Sequence, residues 1–167
     1  MMKNTVILIL LLISGLLPAQ ENTVEILGKT NVNTFKCTNT SIAKPAGSFS
    51  SETKLPVLQL KVADFDCRNK MMTNDFRKIL NSEQHPHFTV RFIEFKKNAN
   101  SYYSAIVEVK ILNRKRFYTV TFFENKNMLT GNETVRFSDF GIVPPTKMGG
   151  TIVVKDHLEL TMKLKNL

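Results

Sequence analysis

The sequence predicts an all-β domain of seven to nine antiparallel strands, interrupted by one short helix. Three observations carry this. Apolar residues alternate with polar ones through most of the chain, the alternating segments are rich in Val, Ile, Thr, Phe and Tyr, and only one stretch has helical spacing. A strand points successive side chains to opposite faces, so period two means one buried and one wetted face.

In chain order, strands are expected near 23–28 and 32–38, bounded by Gly28 and Asn39. Residues 43 to 56 contain Pro45, Gly47, Pro56 and several serines, and read as a mobile loop. Leu58-Gln59-Leu60-Lys61-Val62 resumes the alternation. In "MMTNDFRKILNSEQ", Phe76, Ile79 and Leu80 fall on one helical stripe and Thr73 or Asn74 can cap it, giving a helix over about 73–83. Pro86 ends it, because the residue before a proline is pushed out of helical geometry.

Phe88-Thr89-Val90-Arg91-Phe92 begins the next strand. Ala105, Val107, Val109 and Ile111 alternate with Ile106, Glu108 and Lys110, and further strands are expected near 116–124, 133–139 and 150–155. Leu158, Leu160, Met162 and Leu164 share one face of the last. Such a set closes into a barrel or stacks as a sandwich, and the helix between two strands is placed to plug a barrel end.

"MMKNTVILILLLISGLLPAQ" reads as an export signal: Lys3, an apolar stretch from Thr5 to Ile13, then small residues offering cleavage near Ala19-Gln20. The apolar run is short for a membrane span. The expected organisation is therefore a signal peptide over 1–20 and one domain over 21–167, periplasmic or secreted from a bacterium. Without Lys3 the formal charge of +9 becomes +8, which favours anionic partners. Export argues against nucleic acid, and the basic residues are scattered, as on a solvated surface.

Cys37 and Cys67 are the only cysteines. In an oxidising compartment an even count suggests a disulfide, with two buried free thiols as the alternative. The bridge would close a loop of about 30 residues, contributing roughly 3–4 kcal/mol on the chain-entropy view.

Catalysis finds little support. There is no G-x-S-x-G elbow, Asp64 and Asp66 sit in a strand-to-helix corner, and Gly149-Gly150 precedes a strand rather than a helix. His85 and His87, with His157 as a third ligand, raise a metal site, but Pro86 between them explains the stretch as a joint. No metal or cofactor is expected. Twelve phenylalanines against three tyrosines and no tryptophan make the aromatic content almost wholly apolar. A barrel of about eight strands can be filled by such side chains or hold one small ligand.

"FSDFGIVPPTKMGGTIVVKDHLELTMKLKNL" resembles the C-terminal signature of the YceI-like family: a turn at Asp139-Phe140-Gly141, a loop with Pro144, Pro145, Gly149 and Gly150, then a strand pair around Asp156. "FDCRNKMMTNDFRKILNSEQHPHFTVRF" is similar to the family's strand–helix–proline–strand centre, and "ILGKTNVNTFKC" to an opening strand pair of exported members. Leu112-Asn113-Arg114-Lys115-Arg116 departs from the family's Gly-Val-Thr-like turn. The resemblance implies a single antiparallel lipocalin-like β-barrel of about eight strands, although a chain without tryptophan lacks the Gly-x-Trp of true lipocalins.

The resemblance further implies a non-enzymatic, lipid-binding role in the periplasm, holding a polyisoprenoid or similar long-chain amphiphile for carriage or storage. On that basis the lining is assigned to Val90, Phe92, Val107, Val109, Val120, Phe122, Leu158, Leu160 and Met162, and a basic rim to Arg114, Lys115 and Arg116. Transient contact with a membrane surface and homodimer formation are compatible with this role. The alternative is an envelope module that binds anionic polymers or membrane surfaces through its basic exterior.

Overall fold

The computed structural model describes residues 21–51 and 53–165. The expected signal peptide and its cleavage site lie outside the described residues. The strands are β1 (Thr23–Thr30), β2 (Thr34–Asn39), β3 (Val57–Lys61), β4 (His87–Lys97), β5 (Tyr102–Ile111), β6 (Arg114–Asn125), β7 (Met128–Arg136), β8 (Thr146–Lys147) and β9 (Ile152–Lys165), with one α-helix, α1 (Lys70–Ile79). All pairings are antiparallel, and the sheet runs β2-β1-β9-β7-β6-β5-β4-β3, with β8 on β9. It curls into the lipocalin-like half-barrel that the alternation and the resemblance anticipate.

The alternating apolar residues face inward. Val24, Leu58, Leu60, Val90, Val107, Val120, Leu129, Met162 and Leu164 are essentially inaccessible to solvent. Burial of such faces is the main driving force for the fold, at about 25 cal/mol per Å² of apolar surface.

The two sheet edges meet at a seam. Thr38 and Asp66 exchange backbone hydrogen bonds (2.9 and 3.0 Å), and the Asn39 side chain donates to the Lys61 carbonyl (3.4 Å). Cys37 and Cys67 are joined there by a disulfide.

The helix begins earlier than its apolar stripe suggests. Asn69, not Thr73 or Asn74, is the N-cap, its side chain accepting from the Met72 amide at 3.1 Å. Thr73 is used elsewhere: its hydroxyl accepts from the Cys67 amide (3.0 Å). At the other end the helix stops at Ile79, with Leu80 as C-cap. Phe76 meets Phe65 at a tilt, and Phe65 stacks on Phe88 (centroids 5.3 and 5.6 Å apart), so the helix covers one barrel end. The segment expected as a strand over 133–139 ends at Arg136, and Ser138–Phe140 is a 3-10 turn.

Candidate functional site: an apolar cavity beside a slit in the sheet

The ladder between β6 and β7 covers only Phe122–Asn125 against Met128–Gly131. Beyond Phe122 the strands diverge, while β6 stays paired with β5 back to Arg114. The turn that follows β7 fills this slit. Tyr118 on β6 donates its hydroxyl to Asp139 (3.1 Å), and Ser138 donates its amide and hydroxyl to the Asp156 carboxylate (2.9 and 2.5 Å). Gly141 takes the left-handed conformation (φ 70°), and the Arg114 guanidinium lies so close that a Cβ there would approach it to 2.7 Å. The Asp-Phe-Gly turn thus has a physical reason at each position: a tie, an inward ring and a close approach.

Beneath turn and helix lies a cavity of about 40 Å³ with a wholly apolar wall. Ile26, Phe88, Val109, Leu158 and Leu160 form its barrel side. Phe76, Ile79 and Leu80 close it from the helix, and Phe137, Phe140 and Ile142 from the turn segment. Arg136 borders it with apolar atoms alone, as long basic side chains do when their heads stay in water. Helix and turn segment together cover the cavity, and the Lys147–Asp75 ion pair (2.9 Å) ties the helix to β8, which follows the turn.

Burial and the Asp139 carboxylate push the Tyr118 hydroxyl well above its ordinary value. The hydrogen bonds from Ser138 hold Asp156 below the usual carboxylate range. At the far end of the barrel, the hydrogen bond to Glu124 (2.6 Å) raises Tyr103.

That far end is packed with rings. Phe49 meets Phe92 edge-on at 4.9 Å and Phe95 at 4.8 Å, Phe122 lies 5.6 Å from Phe92, and Tyr103 stacks on Phe95 at 4.9 Å. Gly131 makes room for this packing, since a Cβ there would stand 2.5 Å from the Phe122 ring.

All nine residues assigned to the lining are buried on the inner face, but at different depths. Val109, Leu158 and Leu160 touch the cavity. Phe92 and Phe122 belong to the aromatic cluster, and Val90, Val107, Val120 and Met162 are interior positions that do not border the void.

Of the basic rim, Arg114 and Arg116 pair with Ile111 and Val109 and so share their inward register, at the slit. Lys115 has the opposite parity and binds Glu108 on the outer face (3.3 Å).

Sequence reasoning missed Phe95 and Phe49. A bulge between Phe92 and Glu94 restores Phe95 to the inner face, although odd spacing would turn it outward. Phe49 sits in the segment expected as a mobile loop, and is buried.

His85 and His87 flank Pro86 at the start of β4, whereas His157 on β9 pairs with Arg136. Strands β7, β6 and β5 separate β9 from β4 in the sheet. Among the described residues no group of three metal-ligating side chains is gathered.

No protein-family model and no curated protein matches the chain. Solved structures do. BcnA of Burkholderia cenocepacia superposes with a TM-score of 0.68 at 16% identity, over 85% of this chain and 94% of that one. The YceI protein of Campylobacter jejuni gives 0.59 at 14% identity, over 82% of each chain. A polyisoprenoid binding domain from Saccharophagus degradans gives 0.62 at 5% identity, over 85% and 91%. At these identities the likeness is one of fold, and the chain has the fold of the YceI-like proteins.

Proposed function

We propose that this chain is an exported lipid-binding protein. It holds an isoprenoid or similar amphiphile with its tail inside the barrel and an anionic head at Arg114 and Arg116, for carriage or storage and without catalysis. The observation that carries this is a wholly apolar cavity at the slit, bordered by Val109 and Ile111, whose partners across the β5–β6 ladder are Arg116 and Arg114. Each methylene buried in such a wall gains about 0.8 kcal/mol. The polyisoprenoid binding of one structural neighbour supports the class of ligand, and the Cys37–Cys67 bridge fits an oxidising compartment. The cavity is smaller than the roughly 150 Å³ void that accepts benzene, so loading requires the lid to move.

Native mass spectrometry of protein released gently from a bacterial periplasm tests this. A bound lipid in the wild type, lost in Val109→Trp, is expected. A ligand-free wild type that takes up no added amphiphile overturns it.

The small size of the cavity favours a second reading, in which the basic exterior docks on anionic envelope polymers or membrane surfaces. Binding to acidic polysaccharide that falls with salt and is indifferent to Val109→Trp would select that role.

A further inference from the structure

Among the described residues, Val32, Met71, Val143, Met148 and Val153 are large apolar side chains exposed to water. Specific contacts gather them at the end of the barrel that the helix and the turn segment cover. Met148 opens the short connection from β8 to β9, and β8 pairs with Ile152 and Val153. Val32 sits in the β1–β2 turn beside Asn31. The Asn31 side chain accepts the Val153 amide (2.9 Å), and Asn31 donates to the Val153 and Thr151 carbonyls (3.1 and 2.9 Å). The Lys147–Asp75 ion pair brings in the helix, with Met71 one turn before Asp75 on the same helix face. Val143 follows Ile142 of the cavity wall and precedes the stretch in which Pro145 accepts the Val154 amide (3.1 Å).

Met148 is the tip of this group. It takes left-handed backbone (φ 51°), a conformation that ordinarily falls to glycine, and Gly149 and Gly150 follow it at φ 65° and 94°. No internal packing offsets that strain: Met148 is 77% exposed, and a Cβ at either glycine would meet nothing within 4 Å. A strained, projecting apolar side chain points to a contact outside the chain. Its surroundings are cationic. Lys70 precedes Met71, Lys147 precedes Met148, and Lys155 shares the outer face of β9 with Val153. The carboxylates nearby, Asp75 and Asp156, are already engaged by Lys147 and Ser138. Apolar points set among lysines suit an anionic lipid surface, which takes the apolar side chains into its interface and the lysines at its head groups. An acidic polysaccharide would partner the lysines and offer the methionine nothing.

We infer that this end of the barrel docks on an anionic membrane surface, with Met148 and Val32 entering the head-group region. The inference rests on the membrane form of the second reading above and gives it a place, one apolar tip instead of a diffuse basic exterior. The docked end is the one that carries the helix and turn segment, so the elements covering the cavity meet lipid.

The measurement is flotation of protein recovered from a bacterial periplasm with vesicles of phosphatidylglycerol and phosphatidylethanolamine, compared with phosphatidylcholine alone. The protein should float with the anionic vesicles and stay behind with the neutral ones. Met148→Asn combined with Val32→Asn should weaken binding about tenfold. The melting temperature should hold, because both side chains are exposed and asparagine is at ease in left-handed backbone. The chain has no tryptophan, so Met148→Trp reports only its own surroundings, and its emission should shift to the blue on anionic vesicles. Phe123→Trp, exposed at the end of β6 away from the slit, should not shift.

Binding undiminished by the asparagine pair, with no blue shift from Met148→Trp, overturns the docking tip and leaves charge-driven docking of the basic exterior standing. Equal flotation with neutral vesicles overturns the anionic partner. No flotation with either vesicle removes membrane docking altogether, and that form of the second reading with it.

Discussion

Cys37 on β2 is bonded to Cys67 directly across the seam where the two edges of the curled sheet meet. Apart from the bridge, that seam is held among the described residues by one exchanged pair of backbone hydrogen bonds, between Thr38 and Asp66, and a long amide contact from Asn39 to the Lys61 carbonyl. The covalent link does what a continuous ladder does elsewhere in the barrel.

Replacing both cysteines by serine should lower unfolding stability by roughly 3 kcal/mol, from the chain entropy of a loop closed over 30 residues. The shift in urea midpoint at unchanged slope gives the value. A loss well under 1 kcal/mol would mean that hydrogen bonds alone close the seam.

Tyr118→Phe should cost about 1 kcal/mol by removing the hydroxyl from Asp139. It should also alter the alkaline limb of stability. Burial and Asp139 keep Tyr118 protonated beyond its ordinary value of 10.0. Its contribution is therefore complete below that pH and drains away as pH rises through the raised folded value. The variant cannot ionise there, so its stability should fall less steeply above pH 10 than that of the wild type. Parallel curves would rule the linkage out.

Asp156 behaves in the opposite sense. Hydrogen bonds from Ser138 lower its folded value below the ordinary 3.8, so its contribution is present above that pH and disappears as pH falls through the lowered value. The stability gap between wild type and Asp156→Ala should shrink on acidification from pH 5 toward pH 2. Denaturation midpoints read across that range decide the matter, and a gap independent of pH excludes it.

Gly131→Ala should destabilise by about 1–3 kcal/mol, the usual range for forcing extra volume into a packed core. The new methyl would meet a fully buried Phe122 ring rather than the end of a mobile chain. Thermal unfolding compared with the double variant Gly131→Ala/Phe122→Leu should show partial rescue; equal loss in both would contradict the proposed clash.

Zinc or nickel should leave the melting temperature unchanged, because three strands of the sheet lie between His157 on β9 and the β4 strand that His85 and His87 open. A metal-dependent rise that Pro86-flanking alanine substitutions abolish would restore a metal site.

Much of the barrel was legible because its inner face obeys a strict period of two, from Leu58 and Leu60 to Leu158, Leu160 and Met162. The exceptions were local. One extra residue at Ile93 reverses parity, which hid Phe95, and the loop chemistry around Gly47 concealed a buried Phe49. Asn69 caps the helix four residues upstream of Thr73, whose hydroxyl accepts from the Cys67 amide instead.

Arg114 and Arg116 were named together with Lys115; parity continued from Val120 and Phe122 toward the strand's start is what separates the two arginines from the lysine. The divergence of β6 from β7 could not have been found. It depends on a wedge whose position is set by contacts with Tyr118 and Asp156, far away in sequence.

The missing half of that ladder has a kinetic consequence. Among the described residues, no backbone hydrogen bond joins β6 upstream of Phe122 to the turn that fills the slit. Moving the turn aside breaks its side-chain ties and the Phe137–Asp156 backbone hydrogen bond and exposes Phe137, Phe140 and Ile142, but it leaves the β5–β6 and β7–β9 ladders intact. For the lipid binding proposed above, exchange would then run on the timescale of lid opening, about microseconds to seconds, while the barrel itself unfolds on a clock set by its seam. Residence time and fold lifetime become separately adjustable properties of one small domain.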